Sequence, residues 1–386
     1  MKNPFKLLLR KSVSAVRYLQ GLFTPVKNII FFESHPDLAD NTKAVFDEMV
    51  RRGLNKKYKM VWWVQDKDNP ELPHIENVFY VDKKNKENYK EFKKYVFVAK
   101  CIINCNKYIT KYNFRTKFFH LTHGSPIKKI RGYCSAGRGV DYCFMQSEYI
   151  REVFAYQIDV ALKKTVVLGY PRNDVLVNSN VNVKKLFDVD CDKIIVWYPT
   201  YRQSAKGHIT ASKIALPIIH DESAAIRLNE FAKERKVLLV LKPHFAQDVS
   251  RINDLKLSNI VFINDEFFVK NDISSYEFVG SCDALLTDYS SIYFDYTLCD
   301  KPIGLIWEDI DEYRMNPGFA VDIDFMCSGG EKIYSEKDLE DFIDRISCGI
   351  DVLKDKRREI KNLVNFSDDG MNAKRVTDFI VKKAAL

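Results

Sequence analysis

The chain has 386 residues, 46% hydrophobic and 29% charged. At about 150 residues per domain this predicts two or three domains and excludes a disordered chain. Sixty Lys+Arg against 52 Asp+Glu leave a mild net charge of +8, and 15 Gly with 12 Pro exclude collagen-like and low-complexity classes. No apolar run is long enough for a multi-span membrane protein. Nine cysteines, none in a Cys-x-x-Cys pair, read as free thiols of a reducing compartment, and no secretory signal is visible.

The positive excess is concentrated at the start. Residues 1–32 hold Lys2, Lys6, Arg10, Lys11, Arg17 and Lys27 and no acid. Phe5, Leu8, Leu9, Val13, Val16, Leu19 and Phe23 recur at helical spacing. This is the pattern of a basic amphipathic helix suited to an anionic membrane surface; the competing reading is a helix packed on its own protein with a solvated basic face.

Alternation follows. Ile29–Phe32, Met60–Val64, Val78–Val81, Cys101–Asn104, Phe118–Leu121, Asp141–Met145 and Val166–Leu168 read as buried strands. Helical stretches lie between them at Asn41–Arg52, Glu87–Lys100 and Glu148–Tyr156. A polar run at 178–193 reads as a link between domains; its Asp188, Asp190 and Asp192 suit turns better than a metal site. Strands then resume at Ile194–Trp197, Val237–Leu241, Ile260–Ile263, Ala284–Thr287 and Ile303–Ile306, with helices at Glu222–Arg235, Ser291–Leu298, Glu336–Asp351 and Asn372–Lys383. Strand–helix alternation predicts parallel sheets, and two such series predict an α/β protein of two Rossmann-like domains facing a cleft.

The chain has no G-x-G-x-x-G after a strand, no P-loop and no G-x-S-x-G elbow, which lowers dinucleotide enzymes, P-loop NTPases and α/β-hydrolases. Four segments instead place polar residues at the carboxyl end of a strand, the ligand-binding edge of an open α/β sheet. The first is His123-Gly124-Ser125-Pro126-Ile127-Lys128, where a histidine, a residue type suited to proton transfer, precedes a turn. His120 and His123 suggest a metal only weakly, since a third ligand is missing. The second is Pro199-Thr200-Tyr201-Arg202, with a planar guanidinium suited to phosphate. The third is Lys242-Pro243-His244, which ends a strand. In the fourth, Thr287-Asp288-Tyr289-Ser290-Ser291 leads into a helix carrying Asp295, and hydroxyls with free N–H groups at a helix start suit an anion. Ordinary N-capping explains the serines equally well.

Together and in this order, with Gly169-Tyr-Pro-Arg172-Asn-Asp174 between the first and second, these segments resemble the CDP-glycerol glycerophosphotransferase family of teichoic-acid synthesis. Lys301-Pro302, Tyr313-Arg314 and Gly318-Phe319 are similar too. The resemblance implies a glycosyltransferase-B type fold and transfer of glycerol phosphate, or a related alditol phosphate, from a CDP-activated donor to an acceptor hydroxyl, releasing CMP. It implies four regions: a membrane-associating segment at 1–25, an acceptor domain at 26–180, a CDP-alditol donor domain at 181–370, and a helix at 371–386 crossing back to the first domain. His123 would be the general base and His244 would contact the pyrophosphate or assist the leaving group. Arg172, Thr200, Arg202, Ser290, Ser291 and Asp295 would bind donor, and Gly124, Ser125, Pro126, Ile127, Lys128, Tyr201, Lys242, Pro243, Thr287 and Asp288 would complete the substrate site.

Ser125 and Phe245 depart from the family pattern and bear on donor choice. The implied partners are CDP-glycerol or CDP-ribitol, a lipid-linked saccharide or polymer acceptor, and the cytoplasmic face of an anionic membrane. No cofactor, metal or nucleic acid is expected. The alternatives are a nucleotide-sugar glycosyltransferase of the same fold, separable by CDP-glycerol turnover, and a non-catalytic assembly subunit, against which both histidines argue.

Overall fold

The computed structural model describes residues 4–133, 135–200, 216–243 and 250–386, with side chains from Ser14 onward in the first helix. Tyr201, Arg202 and His244 lie outside the described residues. The chain forms two compact units. The first takes Met1–His123, Arg131–Arg172 and Met371–Leu386, and the second Gly124–Ile130 and Asn173–Gly370.

The first unit is built on a seven-stranded sheet. Its strands are β1 (Lys27–Glu33), β2 (Lys59–Trp63), β3 (Val78–Val81), β4 (Ala99–Asn104), β5 (Lys117–His120), β6 (Tyr142–Met145) and β7 (Thr165–Val167), ordered β3-β2-β1-β4-β5-β6-β7. All pairings are parallel. Parallel strands need crossovers, and helices supply them, so the strands are buried on both faces and read as apolar runs. Helix α2 (Asp40–Arg51) packs Val45, Phe46 and Met49 onto the sheet, where the Phe32 and Trp62 rings stack at 5.2 Å. The C-terminal helix Asn372–Ala384 adds Val376 and Ile380 to the same core.

Helix α1 (Pro4–Phe23) docks through one face. Tyr18 lies 5.1 Å from the Tyr112 ring and 5.7 Å from Phe114, and Arg17 sits over Tyr112. Gly21 presses on the Tyr112 backbone so closely that a Cβ would fall 2.1 Å from its carbonyl oxygen. Val16, Leu19, Leu22 and Phe23 remain exposed, Phe23 by 83%. Among the described residues no helix is long and apolar enough to cross a membrane.

The second unit repeats the plan with six parallel strands: β8 (Lys193–Trp197), β9 (Val237–Leu241), β10 (Ile260–Phe262), β11 (Ala284–Thr287), β12 (Ile303–Ile306) and β13 (Glu331–Ile333), ordered β10-β9-β8-β11-β12-β13. Trp197, Leu239, Leu241, Leu286 and Phe342 fill its core. Each sheet reverses its strand order once, at β1/β4 and at β8/β11, which opens a crevice at the carboxyl ends. The expected helix Ser291–Leu298 is instead Ile292–Tyr296 followed by a tighter turn at Thr297–Cys299. Elements with no counterpart in the sequence reading include β13 and the helix Lys354–Val364.

His120, at the end of β5, is buried and donates from Nδ1 to Asn104 Oδ1 at 2.8 Å. Burial, reinforced by nearby His123, holds its pKa down to about 3. The unfolded chain takes up this proton near pH 6.5, so the stability His120 contributes is intact above that value and lost as pH falls towards 3. Urea unfolding between pH 7 and pH 4.5 should show up to about 1.4 kcal/mol lost per pH unit from this group, and His120→Gln should flatten the slope by that much. A slope unchanged in the variant would clear His120 of the effect.

Candidate active site

In the first unit the site begins at His123, which follows β5 and is exposed. Its Nδ1 lies 3.1 Å from the Cys105 carbonyl oxygen. A carbonyl oxygen can only accept, so Nδ1 carries the proton and Nε2 keeps its lone pair. That is the tautomer a general base needs.

The backbone around the ring is fixed from several sides. Thr122 takes φ +58°, costly for a β-branched residue, and its buried hydroxyl sits 3.1 Å from both Phe144 O and Tyr170 Oη. Asn41 Nδ2 donates to Thr122 O at 3.0 Å, and the Asn41 carbonyl oxygen Oδ1 accepts the Arg172 N–H. Arg172 Nη1 donates to His123 O at 2.8 Å and to Asp40 Oδ1 at 2.8 Å. Arg172, expected on the donor, is thus engaged with Asp40 and the His123 backbone. Sequence reasoning missed Asp40 and Asn41, which sit at the start of α2 with no motif around them.

At the crevice of the same sheet lies Glu33, also missed. It ends β1 and is fully buried, and its Oε2 accepts the N–H groups of Asn106 and Lys107 at 3.2 and 2.9 Å. Burial outweighs these bonds and pushes its pKa up to about 7.

Beyond His123 the chain enters the second unit at Gly124, whose φ of +147° suits glycine. Ser125, Pro126 and Ile127 are buried there. Ile127 O accepts the Ala320 N–H at 2.8 Å, Lys128 bridges to Phe319, and Lys129 N–H donates to Gly318 O. The Gly318-Phe319 pair therefore holds the first motif's loop. Tyr313 stacks on Tyr289 at 4.0 Å, and Tyr289 donates to Asp309 at 2.9 Å.

The second and fourth motifs meet at the β8/β11 reversal. Asp288 accepts the Thr200 N–H at 2.8 Å, the Thr200 hydroxyl, and the Tyr289 N–H at 2.6 Å. Thr287 Oγ1 donates to Tyr198 O at 2.8 Å. Buried Asp295 accepts from Asn173 Nδ2 at 2.9 Å and from Tyr276 Oη at 2.8 Å. Tyr276 and Ser275 open a helix fixed by a capping box between Ser274 and Glu277, and Ser275 meets the Tyr198 hydroxyl at 2.9 Å.

Asp288, Asp295 and Thr200 are therefore engaged inside the protein. Ser290 and Ser291 are half-buried, and Ser291 makes no side-chain cap. Lys242, at the end of β9, pairs with Asp265 at 2.9 Å, beside Pro243. Among the described residues no group of three His, Cys, Asp or Glu could hold a metal.

A family model described as CDP-glycerol:poly(glycerophosphate) glycerophosphotransferase matches residues 17–382. The chain is 27% identical over 374 residues to a teichoic acid poly(glycerol phosphate) polymerase of Bacillus spizizenii, covering 87% of this chain and 88% of that one. It is 26% identical over 346 residues to a teichoic acid glycerol-phosphate transferase of Staphylococcus aureus, covering 81% and 82%. The solved wall teichoic acid polymerase TagF superposes with a TM-score of 0.71 at 21% identity, over 98% of this chain and 95% of that one.

The fold is that of two Rossmann-like units of the glycosyltransferase-B type. The chain belongs to the CDP-glycerol:poly(glycerophosphate) glycerophosphotransferase family. It is a phosphotransferase that moves glycerol phosphate from a CDP-activated donor to an acceptor.

The Asp288 hub predicts a stability effect. Asp288→Ala strands the buried N–H and hydroxyl of Thr200, and unfolding free energy should fall by about 2–4 kcal/mol in urea titrations. Unchanged stability with weakened donor binding would instead make Asp288 a ligand contact.

Proposed function

We propose that His123 is the base of an in-line displacement on the donor's diphosphate. Its Nε2 takes the proton of an acceptor hydroxyl. The oxygen attacks the phosphorus bearing glycerol, the bond to the bridging oxygen breaks, and that oxygen leaves with CMP. No covalent enzyme intermediate is needed. The observation that carries this reading is the Nδ1–H bond to Cys105 O, which leaves the lone pair on Nε2 of an exposed ring.

Arg172 and Asp40 act through the His123 backbone and are positioning residues. Ser290 and Ser291 supply hydroxyl donors to the donor's phosphates, with Arg202, Lys242 and His244 completing the charge as the resemblance implies. Charge stabilisation of this kind, together with a placed base, accounts for phosphoryl transfer without further chemistry from the protein. The donor is CDP-glycerol or CDP-ribitol, and the acceptor is a lipid-linked saccharide or a growing polymer.

The enzyme meets such an acceptor at a membrane surface. Helix α1 docks through Tyr18 and Gly21 while Val16, Leu19, Leu22 and Phe23 face outward. The packed and membrane readings thus use different faces of one helix. Apolar insertion and cations worth about 1 kcal/mol each near anionic lipid give reversible binding at the cytoplasmic face.

Release of CMP from CDP-glycerol or CDP-ribitol, scored against a panel of lipid-linked acceptors, tests the reaction. His123→Ala should lower turnover by about 10²–10⁴ and spare donor affinity; turnover near wild type would remove His123 as base. Replacing Ser290 and Ser291 with Ala should weaken CDP binding by about 1–3 kcal/mol in calorimetry, and an unchanged affinity would show that they do not touch the donor. Deleting residues 1–25 should release the protein from anionic vesicles at low salt. Equal vesicle binding with and without the segment would sink the membrane role.

A further inference from the structure

Helix α3 (Lys86–Val98), α1 and the 108–112 segment enclose a groove of about 410 Å³ within the first unit. Its lining holds Arg17, Lys83, Lys90, Lys93 and Lys94 and no Asp or Glu. Some cations elsewhere on the unit are paired, as in Lys43–Asp47 and Arg51–Glu48. Of the groove cations, Lys90 has Glu87. Arg17, Lys83, Lys93 and Lys94 have no carboxylate partner among the described residues.

Aromatic rings hold Arg17, Lys83 and Lys93 instead. The Lys83 ammonium lies 3.4 Å from the Trp63 ring centre and 3.8 Å from Phe92; Lys93 lies 4.4 Å from Tyr89 and Arg17 5.3 Å from Tyr112. A ring face orients a cation without cancelling its charge, so the positive potential of the groove survives. Burial, with Lys107 nearby, already holds the Lys83 pKa down to about 8, a cost that an arriving anion would relieve.

We propose that this groove binds the phosphodiester chain of the polymeric acceptor, a site separate from the residues that perform the transfer. The inference rests on the glycerophosphotransferase reading above and names where its acceptor is held. Lys90, Lys93 and Lys94 stand at i, i+3 and i+4 on one helix, neighbours about 5–6 Å apart, so a row of charges meets a row of phosphates. The rings between them offer apolar contact to the carbons of each repeat. A membrane surface is the less suitable occupant: the groove takes Arg17 and Gln20 from α1 and none of the exposed Val16, Leu19, Leu22 or Phe23.

The test uses the full chain carrying Lys93→Glu and Lys94→Glu, two half-exposed or exposed lysines outside the transfer site. Fluorescence anisotropy reads binding of a labelled glycerol phosphate oligomer without donor present, and CMP release reads KM for oligomer and for CDP-glycerol. Oligomer Kd and KM should each rise about tenfold or more, equivalent to roughly 1.4 kcal/mol. The KM for CDP-glycerol, kcat and binding to anionic vesicles should not change. Unchanged oligomer affinity overturns the proposal, as does vesicle binding lost in its place, which would make lipid headgroups the ligand. Equally tight binding of a single-stranded oligonucleotide of the same charge to the wild type also overturns it. Oligomer binding that depends on Lys93 and Lys94 in an enzyme unable to turn over CDP-glycerol would uphold the groove while refuting the reaction.

Discussion

Parallel pairing is the constraint on which the structure depends. Every strand pair in both sheets runs in one direction. The loops after the strands of each sheet therefore gather at a single edge, and the loops before them at the opposite one. His123 follows β5, the Thr200 loop follows β8, Lys242 follows β9 and the Asp288–Ser291 turn follows β11. Chemistry from distant parts of the chain is brought to one edge of each unit by the sheet alone. The same constraint buries the strands, which is why Trp62 and Trp197 can sit wholly inside their cores.

Loops at such an edge lack the sheet's ladder of hydrogen bonds and need other pins. In both units these are carboxylates placed where backbone donors converge. Asp288 fastens the β8 loop to the β11 loop, Asp295 ties Asn173 to Tyr276, and Asp40 holds Arg172 against the His123 carbonyl. Glu33 is pinned in the same way by two backbone N–H groups, and burial pushes its pKa up to about 7.

This division explains what could be read from the chain beforehand. Val237–Leu241, Ala284–Thr287 and Ile303–Ile306 coincide with their strands because doubly buried parallel strands leave unbroken apolar runs. The edge strand Glu331–Ile333 is short and two-thirds charged, and Lys354–Val364 is mostly charged, so neither leaves such a run. His123 stands out as a histidine closing a strand before glycine. The hydrogen bonds of Asp295, Asp288 and Arg172 do not, because a motif displays which residues gather and not which of them bond to one another. Arg172 and Asp40 are 132 positions apart, and only the fold introduces them.

The orientation of the His123 ring shows how closely site and scaffold are joined. Its partner is the carbonyl of Cys105, a main-chain atom, so the Cys105 side chain is not what selects the tautomer. Cys105 follows directly on β4, and β4 lies between β1 and β5. The acceptor's place is thus set by strand pairing on both sides, and the donor ring's place by β5 together with Arg172, Asn41 and Thr122. Displacing the ring requires shifting a central strand or breaking a buried network. A flexible surface histidine would spend conformational entropy at each encounter with an acceptor. Here that entropy was lost on folding, because the ring's partner and its own backbone are both fixed by the fold.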